Sequence, residues 1–337
     1  MHASSAGPCP DKYPIVTEMR SLSPKVIIIS SLQIALTVIL LIALVRMLDA
    51  AKLRQLLRHT DPAWFTVAFT ILIIQQVLAA ERWRLVAKSL SAPAHTFSFY
   101  VFWQGISMLC SMVLPSIIGA DLTRGYALSR RTRLGTVLRI VLIDRALGLL
   151  ALASLVVMAL IILPFFFVAH PLLLLPAAIA IFGVIIYWTL TRWLPMIRGN
   201  SKMILAGRQL GNDLKDTVEG DGCLRVVLTS LSIHLLSVIA FFALGQAIGI
   251  VGIDPAHYLA IVSCGLLTTV IPISVGGWGV RESALVIGFG LLSIEPERAF
   301  ALSATFGLLA MLSAGVAALL GLPFFVQKPI DDLAEMH

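Results

Sequence analysis

Six apolar runs, at 26–45, 63–80, 137–167, 171–191, 224–250 and 299–325, constrain this 337-residue chain more than any other feature. Each is about 18 residues or longer, enough for a helix to cross a bilayer core of about 30 Å. Hydrophobic residues make up 58% of the sequence and charged residues only 13%, against about 25% charged in an ordinary soluble domain. Both properties put the chain in the membrane class. The net charge is +7, but the basic residues lie between apolar runs, where keeping loops in the cytoplasm accounts for them. Little sequence is left to build a nucleic-acid groove, so no nucleic-acid partner is expected.

The first run begins only at Val26, after a polar, proline-bearing stretch read as a flexible tail over 1–25. It is followed by "RMLDAAKLRQLLR" rather than a small-residue cleavage site, and so reads as a retained helix and not a signal peptide. Four scattered cysteines, with no CxxC and no histidine at ligand spacing, indicate neither a disulfide framework nor a metal site; no cofactor is expected.

Two further apolar regions, 97–131 and 257–292, are interrupted near their middles by proline and glycine. Their centres align without gaps at an offset of 157: "LPSIIGADLTRGYAL" at 114–128 with "IPISVGGWGVRESAL" at 271–285. Pro115 falls on Pro272, Gly119 on Gly276 and Arg124 on Arg281. The flanking spans fit a duplication, 26–167 against 171–325, within one transmembrane domain at 26–325 followed by a tail at 326–337. The expected fold is an all-α polytopic membrane protein with six full spans and two broken, re-entrant helical hairpins. Interrupted segments at corresponding positions of two repeats point to a transport site between the halves.

The basic loop at 192–223 (Arg192, Arg198, Lys202, Arg208, Lys215) belongs in the cytoplasm. If the broken regions are hairpins, they enter from opposite sides and the repeat is inverted, with both termini cytoplasmic. The loop at 46–62, with Arg46, Lys52, Arg54 and Arg58, is then outside, against the charge rule. If both regions cross completely, that loop is cytoplasmic and the N-terminus is outside. The hairpin arrangement is preferred. Freed backbone cannot face lipid, so the two breaks are expected to meet between the halves.

Charges at the breaks have two readings. After the Gly276-Gly277 bend, Arg281 and the free amides of the half-helix N-terminus either meet an anionic headgroup, or Arg281 pairs with Glu282, Asp121 or Asp144 to hold the bundle together. Asp121 and Arg124 have the spacing of an i,i+3 pair. Asp144 and Arg145 lie in the next span, Arg145 with the option of snorkelling to the interface. Glu81, Arg82, Trp83 and Arg84 follow the second span and read as interface anchors, with a headgroup role as the lesser alternative. Gln75, Gln76, Gln104, His234 and Gln246 read as interhelical hydrogen-bonding groups; for His234 a proton relay is the rarer alternative. No GxSxG, HExxH or P-loop is present.

Together, "LPSIIGADLTRGYAL", "VLIDRALGLLAL" and "IPISVGGWGVRESAL", with "ERWRLV" at 81–86, resemble the ordered signatures of the lysylphosphatidylglycerol synthase transmembrane-region family, the flippase-like membrane proteins. The chain departs from the family pattern at Ile117-Ile118 and at Gly148, where an acidic residue commonly stands. The resemblance implies a multi-pass protein of the cell (cytoplasmic or inner) membrane that moves or supplies lipids between leaflets. Its partners would be membrane lipids, with an anionic headgroup, and envelope-lipid or glycan synthesis enzymes. Family members that make lysyl-phosphatidylglycerol carry a soluble aminoacyl-transferase domain. Because this sequence stops about a dozen residues past its last span, it is not expected to make that lipid, and no enzymatic activity is assigned. The expected headgroup pathway is Arg281, Glu282, Arg124, Asp121, Asp144 and Arg145, with Pro115, Pro272, Gly276 and Gly277 at the breaks. A transferase acting on a lipid-linked substrate, or a scaffold for envelope-lipid synthesis, are the other readings.

Overall fold

The computed structural model describes residues 32, 35, 38, 39, 42, 46, 49, 51, 60–113, 119–129, 132–199, 201–220, 222–270 and 274–326. The first predicted span, most of the 46–62 loop, both tails, Pro115 and Pro272 lie outside these residues or only at isolated positions within them. Eleven α-helices are described and, among the described residues, no strand. They are α1 (Pro62–Ser89), α2 (Phe97–Val113), α3 (Gly119–Ser129), α4 (Leu134–Ile162), α5 (Pro164–Ala169), α6 (Leu174–Trp193), α7 (Lys202–Glu219), α8 (Cys223–Ala247), α9 (Pro255–Thr268), α10 (Val280–Gly290) and α11 (Pro296–Val326). Five segments among the described residues are long and apolar enough to cross a membrane: 62–89, 134–162, 171–196, 223–247 and 296–322.

Local chemistry sets the helix ends. Asp61 and Asp254 each stand before a proline at the first helical position, and each carboxylate accepts from the backbone N–H two residues on, at 2.8 Å and 2.7 Å. The predicted span 137–167 is corrected to one ending at Ile162, because Pro164 starts the separate short helix α5. The span predicted over 63–80 continues to Ser89. Gln76, Ala79, Ala80, Trp83, Val86 and Ala87 keep one buried helical face running through it.

Both broken regions fold back on themselves. In the first, Ser107 of α2 donates to the Ala120 carbonyl at 2.9 Å, and Trp103 packs on Tyr126 with ring centroids 6.1 Å apart. In the second, Tyr258 packs on Phe289 at 5.2 Å, while a Cβ on Gly265 would lie 2.8 Å from the Leu285 side chain. Pairs converging in this order require antiparallel arms. With 17, 11, 14 and 11 residues, the arms α2, α3, α9 and α10 extend about 26, 17, 21 and 17 Å at 1.5 Å per residue. None spans a core of about 30 Å.

The helices flanking the two hairpins interlock. Helix α2 packs against α11, and α9 against α4. Helices α1 and α8 run antiparallel. Asp61 N–H donates to the Ala247 carbonyl at 2.8 Å at one end. Midway, Gln75 Nε2 donates to the Ile233 carbonyl at 2.9 Å and to Ser237 Oγ at 2.6 Å. At the other end Ser89 meets Thr217, just ahead of α8, at 3.2 Å. A Cβ on Gly105 would lie 2.5 Å from the Ala314 carbonyl oxygen, so α2 and α11 touch backbone to backbone.

One end of the bundle collects α7, held by Arg139–Asp213 at 2.6 Å, with the open end of the first hairpin, where Arg84 lies over Phe97 at 5.4 Å. The other end collects the start of α9, where His257 packs on Phe166 at 4.9 Å. The hairpins thus open at opposite ends. The Gly276 turn of the second hairpin meets the end of α2: a Cβ on Gly276 would lie 3.1 Å from both Met112 Cα and Ser111 O. In a background with all four cysteines replaced, Ala94→Cys and Arg133→Cys are expected to react with an impermeant thiol reagent from one face of the membrane. Val251→Cys and Glu295→Cys should react from the other. Labelling of positions 94 and 133 from opposite faces would rule the first hairpin out.

Candidate functional site

Two apolar clusters fill the bundle, one around Leu72, Phe241, Tyr258, Phe289 and Phe306, the other around Trp83, Tyr100, Leu128, Ile140 and Ile143. Buried charge is set into both. In the first half, Arg82 of α1 grips Asp144 of α4 with two hydrogen bonds, Nε to Oδ1 at 2.8 Å and Nη2 to Oδ2 at 3.1 Å. Arg124 of α3 reaches the same carboxylate, Nη1 to Oδ2 at 2.7 Å, and its Nη2 donates to Gln104 Oε1 at 2.6 Å. Gln104 donates in turn to Gln76 at 3.4 Å, and the Arg124 guanidinium lies 5.6 Å from the Trp83 ring. Asp144 is 2% exposed and Arg82 8%.

Two guanidiniums share one carboxylate, which leaves this cluster at net +1. Three of its buried nitrogens have no hydrogen-bond partner among the described residues: Arg82 Nη1, Arg124 Nε and, beside them on α8, His234 Nε2. A buried N–H without a partner is costly, and groups of them mark strain or a missing ligand.

In the second half, Arg281 occupies the position that corresponds to Arg124 but is satisfied differently. Its Nη2 meets Glu282 Oε1 at 2.5 Å and its Nε donates to Ser303 Oγ at 3.1 Å. The guanidinium is sandwiched by Trp278 at 5.0 Å and Phe306 at 5.8 Å. The other Glu282 oxygen accepts the Gly279 N–H at 2.6 Å, capping the start of α10 from within its first turn. One charge of each sign gives this cluster net zero. The hairpins differ because Gly276, Gly277 and Gly279 have φ of 58°, 77° and 82°. These left-handed values prolong the turn, so α10 starts at Val280, whereas α3 starts at Gly119.

The structure brings Arg124 and Asp144 together, and Arg281 and Glu282, one of the pairings anticipated for Arg281. It rearranges the others. Asp121 does not pair with Arg124; it pairs with Arg145 at 2.5 Å, and Arg124 turns to Asp144. Arg145 is half exposed, held by that pair. No hydrogen bond or ion pair among the described residues joins the two clusters. Arg82 is no interface anchor, because α1 continues past it and buries it against α4. Gln104 and His234 also belong to the first cluster. The signal for Arg82 was the helical spacing that persists beyond Ala80.

The sequence matches the lysylphosphatidylglycerol synthase TM region over residues 28–319. The chain belongs to that family. No curated protein and no solved structure matches it. The family points to a multi-pass membrane protein of lipid metabolism or translocation. The matched span takes in Arg82, Arg124, Asp144, Arg281 and Glu282, so both buried clusters lie within the family's domain.

Proposed function

We propose that this protein translocates a lipid with an anionic headgroup between the leaflets of the cell membrane. The carrying observation is the Arg82–Asp144–Arg124 cluster, with net positive charge and unpartnered N–H donors inside a membrane bundle. Ionisable groups at that depth are expensive, and their common use is to mark a substrate pathway. An anionic headgroup would supply both the missing charge and the missing acceptors.

The antiparallel pairing of α1 with α8 and the opposed hairpins support an inverted repeat, the architecture suited to exposing one site alternately to two sides. The five basic residues over 192–223 favour a cytoplasmic location for the α7 end, and with it for both termini. On this reading Arg124 rides on the shorter arm of a hairpin and reaches a carboxylate on the long helix α4. A headgroup would compete with Asp144 for that guanidinium. Arg281, satisfied within its own hairpin and by Ser303, acts as the rigid counterpart, its Gly276–Gly277 turn bearing on the end of α2.

The test is reconstitution into liposomes carrying labelled anionic phospholipids. Protein-dependent exchange of label between leaflets, faster than in protein-free liposomes, is the expected result. Exchange no faster than in protein-free liposomes, across several anionic lipids and with an imposed ion gradient, would refute translocation.

A further inference from the structure

Gly148 lies in the interior of α4, where glycine weakens a helix and alanine strengthens it. Two common reasons for such a glycine do not hold. Its φ is not positive, and no backbone of a neighbouring helix crowds it, unlike Gly105 and Gly321, where a Cβ would meet backbone atoms at 2.5 Å. Instead, a Cβ on Gly148 would meet Arg82 Nη1 at 3.2 Å, Arg82 Nη2 at 3.6 Å and His234 Nε2 at 3.7 Å. Of these three nitrogens, Nη1 and Nε2 are two of the unpartnered buried nitrogens of the site. With no side chain at 148, both nitrogens face the bare backbone of α4.

We propose that an oxygen of the anionic ligand docks over Gly148, held by Arg82 Nη1 from the first half and His234 Nε2 from the second. This deepens the headgroup reading given above and rests on it. It makes His234 a binding residue and closes the site across the two halves, since α8 belongs to the second. With the imidazole neutral the cluster is +1, which one phosphodiester charge neutralises. The shared chemistry is therefore a singly charged phosphoryl oxyanion, from a lipid headgroup or from free phosphate.

Two substitutions separate binding from stability. Gly148→Ala puts a methyl group between the two donors, 3.2 Å from Arg82 Nη1, and so crowds the oxygen that would dock there. His234→Leu removes the second donor together with its unsatisfied polar atom. Binding of monomeric short-chain phosphatidylglycerol to the detergent-solubilised full chain would be measured by calorimetry, with thermal unfolding in parallel. Wild type is expected to bind saturably, and each variant about ten-fold or more weakly, with His234→Leu melting at or above wild type. Inorganic phosphate, titrated separately, is expected to bind more weakly than the lipid; equal binding would assign the site to free phosphate and overturn the lipid source. Unchanged lipid affinity in both variants, while Arg124→Gln abolishes binding, would overturn docking over Gly148 and leave the headgroup reading intact. Unchanged affinity in all three variants would overturn both.

Discussion

Asp144→Ala is expected to destabilise the protein by about 3–5 kcal/mol, more than removal of either arginine. The carboxylate is 2% exposed and receives three hydrogen bonds from two guanidiniums. Deleting it leaves two like charges facing each other, with no acceptor for three donors. Arg124→Gln, by contrast, leaves Arg82–Asp144 as a neutral bidentate pair, and the new amide remains within the Gln104–Gln76 network. Thermal unfolding in detergent should therefore rank wild type and Arg124→Gln close together and Asp144→Ala far below. Replacing all three charges, as Arg82→Met with Arg124→Met and Asp144→Leu, should recover much of the stability, because a buried ion cluster stabilises little over well-packed apolar side chains. It should recover no transport. A recovery of both would show that the charges serve the fold alone.

Glu282→Ala is the second large effect, again about 3–5 kcal/mol, and it should also disturb the hairpin tip. Glu282 is fully buried and has two tasks: one oxygen neutralises Arg281, and the other accepts the Gly279 N–H at the start of α10. Its removal strands a guanidinium that is 4% exposed and frees a backbone donor at a turn already built from three left-handed glycines. Gln at 282 retains an acceptor for Gly279 but not the charge, so it should fall between alanine and wild type. Hydrogen exchange would locate the damage: faster exchange is expected over 275–284 in Glu282→Ala, with α1 and α8 still protected. If exchange rises uniformly, the pair supports the whole bundle and is not local to the tip.

Much of this architecture was readable in the residue pattern, because a bilayer leaves few choices. Long apolar runs must cross, and a proline–glycine break must be hidden in protein. The shared spacing of Pro115, Gly119 and Arg124 with Pro272, Gly276 and Arg281 therefore led to two hairpins. Partner choice was not readable. Asp121 and Arg124 sit at helical spacing, but α4 presents Asp144 and Arg145 one residue apart, and the two ion pairs form across elements. Arg82 was missed for a related reason: after the apolar run ends at Ala80, the helix is extended by one face only, through Trp83, Val86 and Ala87. His234 was legible only as an interhelical hydrogen-bonding group or a proton relay, because its approach to Gly148 and Arg82 is set by other helices. The prolines of both breaks, most of the span at 26–45 and the basic residues Lys52, Arg54 and Arg58 lie outside the described residues.

The most direct measurement of the central claim compares leaflet exchange of a labelled anionic phospholipid in liposomes containing wild type or Arg124→Gln, at matched protein content and with both shown to be folded. Arg124→Gln turns the net +1 cluster into a neutral one and leaves the Arg82–Asp144 pair in place. The expected result is a fall in exchange of about ten-fold or more, the scale of one lost charge-assisted contact, with the melting temperature nearly unchanged. Exchange at the wild-type rate in folded Arg124→Gln would contradict the assignment of this cluster to the headgroup.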